Sequence, residues 1–139
     1  MIVVDTSVLV DFFKGRPTAA ARQLERLELE GIPFSIPAIC CQELLAVARD
    51  IREWELLLSY LETQSLLLPV DPWRTHVAAA RIMFDCRARG ISVRGAVDCF
   101  IAQLVLGNDG ILLHSDSDFD RIAEVRPLRT WTGLGGSDP

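Results

Sequence analysis

The stretch Ile2-Val3-Val4-Asp5-Thr6-Ser7-Val8-Leu9-Val10-Asp11 opens on β-branched apolar residues, sets a carboxylate at their end, and runs on into a helix-compatible segment that Gly15 and Pro17 close. Ile2 to Val4 reads as a strand buried on both faces. Thr6 or Ser7 can cap a helix over Val8 to Phe13, with Asp5 at the crest of the strand-to-helix switch and Asp11 at an exposed position of the helix.

Working outward, the same alternation repeats. Thr18 to Glu30 has the spacing of an amphipathic helix, with Ala20, Leu24 and Leu27 on one face and Gly31 as its stop. Phe34 to Ile36, between Pro33 and Pro37, is a second strand, followed by helices over Ala38 to Arg49 and Ile51 to Glu62. Leu66 to Val70 reads as a third strand, and Asp71 with Pro72 opens a helix that reaches about Arg89. A helix after Ser92 or Gly95 carries Asp98 and ends near Gly107; Gly110 to Leu113 is a fourth strand. Ser115 to Ala123 makes a loop and short helix, and Pro127 to Trp131 a last edge strand. Short strands alternating with longer helices predict an α/β fold, a three-layer α/β/α sandwich around a short-stranded, mainly parallel sheet. Residues 1–131 read as one domain and 132–139 as a disordered tail.

Four acids stand among apolar or small residues: Asp5, Glu43 after Ile39-Cys-Cys-Gln, Asp98 within Ala96-Val-Asp-Cys-Phe-Ile101, and Asp116 after Ile111-Leu-Leu-His-Ser. A carboxylate among residues destined for burial is costly unless it is paired, hydrogen-bonded or metal-bound. Two of them about 4 Å apart repel by roughly 4 kcal/mol at an effective dielectric of about 20. If the four segments converge, a divalent cation is the simplest agent that lets them ionise together. In a parallel sheet the functional crevice lies beyond the carboxyl ends of the strands, which puts Asp5 and Asp116 on one rim. Glu43 and Asp98 must then reach that rim from helices.

Composition narrows the class. With 139 residues, 50% hydrophobic and 24% charged, the chain fits one domain able to bury roughly two-thirds of its unfolded surface. No apolar run approaches the roughly 18 to 20 residues of a membrane span, and Asp5 arrives too early for a signal peptide, so a cytoplasmic location is expected. Cys40, Cys41, Cys86 and Cys99 lack CxxC spacing and read as buried free thiols. A net charge of −5 argues against gripping nucleic acid by bulk electrostatics. Thirteen arginines against the single Lys14 still allow a local phosphate-facing rim among Arg74, Arg81, Arg87, Arg89 and Arg94, although a solvated helix face would look the same.

The segments Val3-Val-Asp5-Thr-Ser-Val-Leu-Val-Asp11, Gln42-Glu43-Leu44, Ala96-Val-Asp98-Cys-Phe-Ile-Ala102 and Leu112-Leu-His-Ser-Asp116-Ser-Asp118-Phe119 occur in one order over the chain to about Trp131. In that order and spacing the chain resembles the PIN-domain ribonucleases, and among them the VapC toxins of toxin–antitoxin pairs. The resemblance implies a PIN-like nuclease domain whose catalytic acids fall on Asp5, Glu43, Asp98 and Asp116, supported by Thr6, Ser7 and Asp118. It implies Mg²⁺ or Mn²⁺ and hydrolysis of RNA phosphodiester bonds. It further implies a homodimer and a cognate VapB-like antitoxin that blocks the site. His114 departs from the Thr or Ser that many relatives carry two residues before the fourth acid, and Ser115 is the candidate substitute contact. Because Mg²⁺ keeps several waters, Asp5 and Asp98 are expected as direct ligands, with Glu43 and Asp116 acting through water.

Other readings fit single residues. Asp5 can be a helix cap, Glu43 can pair with Arg49, and Asp116, Asp118 and Asp120 can form an acidic cap of a short helix. His76 reads as a solvated or partly buried helix residue, and Trp54, Trp73 and Trp131 as core or dimer-interface residues. Two rival functions remain: an inactive PIN-fold binding module, and an Asp-phosphorylated receiver or phosphatase domain, which a receiver lysine would have to support through Lys14.

Overall fold

The computed structural model describes residues 1–133, so most of the tail expected over 132–139 lies outside the described residues. Five strands, β1 (Ile2–Val4), β2 (Ser35–Pro37), β3 (Ser65–Leu67), β4 (Ile111–Leu113) and β5 (Arg129–Trp131), form one sheet in the order β3-β2-β1-β4-β5. Every pairing is parallel, with Val3 opposite both Ser35 and Leu112. The connections are α1 (Thr6–Phe13) and α2 (Ala19–Glu30), α3 (Ala38–Ala46) and α4 (Ile51–Leu61), α5 (Pro72–Ala88) and α6 (Ala96–Gly107), and α7 (Ser117–Ile122). The chain winds outward from β1 through β2 to β3, then crosses back to β4 and β5. Since parallel crossovers are right-handed, that reversal puts α1 to α4 on one face and α5 to α7 on the other. Helix packing follows the same division, α1 with α2 and α3 with α1 and α4, against α6 with α5 and α7. The three-layer sandwich is therefore as expected, and β1 and β4 flank the switch point where such sheets place their ligands.

Local chemistry explains the element ends. Thr18 caps α2 through a bond from the Ala21 amide, and Gly31 ends it in the left-handed conformation that a side chain resists. Asp71 caps α5 with Pro72 following, as expected. The cap of α1 is Asp5 itself, not Thr6 or Ser7. Three spans run short of expectation: α3 stops at Ala46, β3 covers Ser65–Leu67 instead of Leu66 to Val70, and β5 covers Arg129–Trp131 instead of Pro127 to Trp131. β3 is an edge strand whose one neighbour is β2, and Pro69 offers no amide to extend a ladder. Leu68 is consequently exposed, and Val70 is 99% exposed.

The core lies on both faces of the sheet. Val3, Val4, Ile36, Leu112 and Leu113 are inaccessible in the strands, as are Leu9, Leu24, Ile82, Ile101 and Phe119 in the helices. Cys40, Cys86 and Cys99 are buried free thiols and Cys41 is half-buried. Trp131 packs against the core, whereas Trp54 and Trp73 are exposed, which removes the core reading for those two. His76 is exposed and stacks on Phe100 with ring centroids 4.7 Å apart. Among the described residues no helix is long and apolar enough to cross a membrane. Phe119 joins α7 to the core beside His114. Its replacement by Ala is expected to cost about 3–5 kcal/mol, measurable as a lower urea midpoint at unchanged slope.

Candidate active site

Asp5 follows the last residue of β1, and its position is over-determined. Its amide donates to the Leu113 carbonyl at 3.0 Å, tying it to the end of β4. Its Oδ2 accepts the Ser7 amide at 2.9 Å and the Ser7 hydroxyl at 2.6 Å, so the carboxylate that caps α1 is also oriented by it. The buried Cys40 thiol lies 3.9 Å from Oδ1 as a weak donor. Burial pushes the Asp5 carboxyl above its ordinary value, and the two Ser7 bonds partly oppose that rise.

The other acids arrive from separate elements. Glu43, on α3, accepts the Thr6 hydroxyl at Oε1, 2.7 Å away, and does not pair with Arg49, which binds Glu53 instead. Asp98 sits in the first turn of α6, where the positive end of the helix favours a carboxylate. Burial raises it nonetheless, together with the charges of Asp116 and Asp5, to about 7. Asp116 caps α7, its Oδ1 accepting the Asp118 amide at 2.9 Å. Asp5, Glu43, Asp98 and Asp116 thus line one cleft of about 350 Å³ with Thr6 and Ser7. Proximity, which the sequence could only assume, is a property of the fold.

Asp118 differs from the four. It is 1% exposed, and its oxygens are taken by arginines: Oδ2 by the Arg94 amide at 3.2 Å and Arg94 Nε at 3.3 Å, Oδ1 by Arg121 Nη1 at 2.6 Å. Burial pushes its carboxyl up, but the Arg94 and Arg121 bonds outweigh that and hold it below the usual value. Oxygens of Asp98, Asp116 and Asp118 nevertheless all lie within 4.8 Å of one another.

Two residues enter that the sequence did not single out for the site. Asp11, expected at the surface, is 14% exposed and lines the cleft, paired with Arg16 at 3.4 Å and accepting the Ser115 hydroxyl at 3.4 Å. Its spacing four residues after Ser7 was the available signal, since positions i and i+4 share a helix face. Arg94 is the one member of the expected arginine rim that reaches an acid of the cleft, with Nη2 3.2 Å from Asp116 Oδ1. Arg74 and Arg81 instead bind Asp71 and Asp85 along α5.

His114 is buried, and its Nδ1 accepts the Asp116 amide at 3.2 Å, so it shapes the loop that presents Asp116. Burial lowers its pKa and keeps the ring neutral. Ser115 donates its amide to the Ser7 hydroxyl at 3.1 Å, a backbone contact that does not depend on its side chain, whose hydroxyl turns to Asp11. Lys14 lines a separate groove with Arg49 and Arg52. It lies outside the acidic cleft, where a receiver domain would need its lysine.

A donor set made only of carboxylate and hydroxyl oxygens fits a hard divalent cation such as Mg²⁺ or Mn²⁺. Asp98, raised to about 7 by burial and then by the charges of Asp116 and Asp5, marks the charge such an ion would balance. A family model for the PIN domain matches residues 2–125. The chain belongs to the PIN domain family. Within that family it is 32% identical over 130 residues to the VapC ribonuclease Mb1587 of Mycobacterium bovis, and equally to ribonuclease VapC11 of Mycobacterium tuberculosis, over 93% of this chain and 96% of each relative. The PIN fold also recurs in solved structures. VapBC-1 from nontypeable Haemophilus influenzae aligns with a TM-score of 0.73 at 19% identity, over 97% of this chain and 100% of that one. DNA-bound VapBC from Salmonella typhimurium aligns with a TM-score of 0.74 at 18% identity, over 94% and 96%.

Proposed function

We propose that the protein is a divalent-metal-dependent endoribonuclease, the toxin of a VapBC-type toxin–antitoxin pair. The observation that carries this is the joining of Asp5, Glu43, Asp98 and Asp116 in one cleft at the switch point of a PIN sheet; the VapC relatives supply the substrate class. Asp5 and Asp98 are the direct ligands of Mg²⁺ or Mn²⁺ in this reading, with Glu43 and Asp116 acting through water. Bound there, the cation supplies acidification of a water and neutralisation of charge developing on the phosphate.

The chain's own groups do the rest. Thr6 holds Glu43 by Oε1, which leaves Oε2 to take the proton of the attacking water. Ser7 fixes Asp5 by Oδ2, and the Cys40 thiol lies against Oδ1. Arg94 and His114 set the Asp116 carboxylate and its loop. No protein nucleophile is required.

The same reading gives the protein an RNA substrate, a VapB-like antitoxin covering the cleft, a homodimeric state and a cytoplasmic location. The test is cleavage of single-stranded RNA by the purified full chain. Activity with Mg²⁺ or Mn²⁺, abolished by EDTA and restored by excess metal, is the expected result. Cleavage indifferent to chelation overturns the metal-dependent mechanism. Growth arrest on expression, relieved by co-expressing the neighbouring short reading frame, is the expected result in cells.

A further inference from the structure

Asp118 has the burial of a structural anchor and the partners of a cation holder. Both of its oxygens are engaged by arginine, at 2.6 Å from Arg121 and at 3.2 and 3.3 Å from the Arg94 amide and Nε. Each oxygen already carries an arginine bond in a site that is 1% exposed, so a cation taking this carboxylate must share or displace a guanidinium contact, even though oxygens of Asp98 and Asp116 lie within 4.8 Å of it. The guanidiniums are differently placed. Arg94 is 74% exposed and Arg121 44%; Arg94 uses Nε on Asp118 and Nη2 on Asp116, Arg121 uses Nη1 on Asp118, and the guanidinium donors not so used are available to a ligand. Arg94 also touches Asp116, a wall of the acidic cleft.

Charge says what those donors meet. A chain of net charge −5 whose cleft carries five carboxylates against the single Arg16 repels a polyanion, and one bound divalent ion offsets only part of that. Attraction for an RNA strand must come from cations fixed beside the cleft, and a fork already fixed on one edge loses little freedom when its other edge binds phosphate.

We propose that Asp118 is an arginine anchor, not a metal ligand, and that Arg94 and Arg121, held by it, contact a phosphate of the RNA strand beside the one in the cleft. This rests on the ribonuclease reading. Its test separates the two: anisotropy of a fluorescent single-stranded RNA in Ca²⁺ across a salt series reads strand binding whether or not cleavage occurs, while calorimetry with Mn²⁺ reads the metal site.

Arg94→Gln is expected to weaken RNA binding about tenfold and to reduce the slope of log affinity against log salt by about 0.7, the value for one single-strand phosphate contact. Arg94→Lys is expected to recover the slope and only part of the affinity. Asp118→Asn is expected to follow Arg94→Gln in RNA binding while keeping Mn²⁺ affinity within about threefold, against the larger losses of a ligand. Unchanged affinity and slope in Arg94→Gln overturn the inference, and since that side chain is exposed the variant tests it even if Asp118→Asn does not fold. Loss of Mn²⁺ binding in Asp118→Asn with RNA binding by Arg94→Gln intact makes Asp118 a ligand and overturns it equally. Failure of the wild-type chain to cleave RNA in Mg²⁺ or Mn²⁺ tells against the ribonuclease reading itself.

Discussion

Asp98→Asn is expected to lower both Mn²⁺ affinity and RNA cleavage by more than about a hundredfold, beyond the range seen when only an outer contact of a metal site is lost. The reason is geometric as well as electrostatic. α6 delivers Asp98 from one face of the sheet and α3 delivers Glu43 from the other, and the two acids whose oxygens lie within 4.8 Å of Asp98, Asp116 and Asp118, are already tied to Arg94 and Arg121. The variant carries a second signature that a folding defect would not produce. In the metal-free protein an ionised Asp98 is opposed by burial and by the charges of Asp116 and Asp5, so an uncharged isostere relieves that opposition. Thermal unfolding without metal is therefore expected to shift upward in Asp98→Asn, and the rise that Mn²⁺ gives the wild-type protein is expected to vanish. A variant that loses activity with a lowered metal-free Tm, or one that keeps full metal-dependent activity, contradicts this account of the site.

Metal affinity is expected to climb about tenfold per pH unit from pH 5 to near 7 and to flatten above, with about one proton released per ion bound at pH 6. Asp98, held at about 7, must give up its proton before it can ligate, so below that pH protons and metal compete for the same oxygens. Calorimetry in buffers of different ionisation enthalpy counts the proton directly. A flat affinity profile between pH 5 and 7 rejects Asp98 as the group that titrates. The stability consequence has a definite direction. A carboxyl whose folded value lies above its unfolded value, here 3.8, holds its proton more tightly in the folded state. Its contribution is present at low pH and is lost as pH rises from about 4 through 7. His114 works the other way: burial depresses it, so folding favours the neutral ring and stability from this group grows as pH rises toward its unfolded value of 6.5. Subtracting the Asp98→Asn profile from the wild-type profile removes the histidine's part and leaves that of Asp98 together with its coupling to Asp116, Asp5 and Asp118.

Much of the architecture was legible because its causes are local. Alternating apolar runs and amphipathic segments mark strands and helices wherever a residue's neighbours in sequence are also its neighbours in space. Where burial depends on position in the sheet, the reading slipped. Leu66 to Val70 has the composition of a buried strand, yet at the edge of the sheet only Ser65–Leu67 pairs and the rest faces water. Asp11 slipped for the opposite reason: a lone acid on a helix reads as a solvated position, but it lines the cleft and takes the hydroxyl of Ser115 after β4. The sequence left the helix cap open among Asp5, Thr6 and Ser7, because all three are cap formers in any sequence. Only the three-dimensional turn shows that Asp5 caps α1 while Thr6 and Ser7 turn to Glu43 and Asp5.

By itself, the sequence determined the alternation of elements, the α/β class, and which acids were energetically out of place among apolar neighbours, since each follows from residue type and spacing over a few turns of chain. Tertiary structure alone decided that Asp5, Glu43, Asp98 and Asp116 share one cleft, because parallel strands bring together residues more than a hundred positions apart and the order β3-β2-β1-β4-β5 sets β1 beside β4. It alone separated Asp118 from the other four. That acid has the same residue type and a similar setting in sequence, but Arg94 and Arg121 reach it from 24 and 3 positions away, and a carboxylate's chemistry is set by the charges it meets in space.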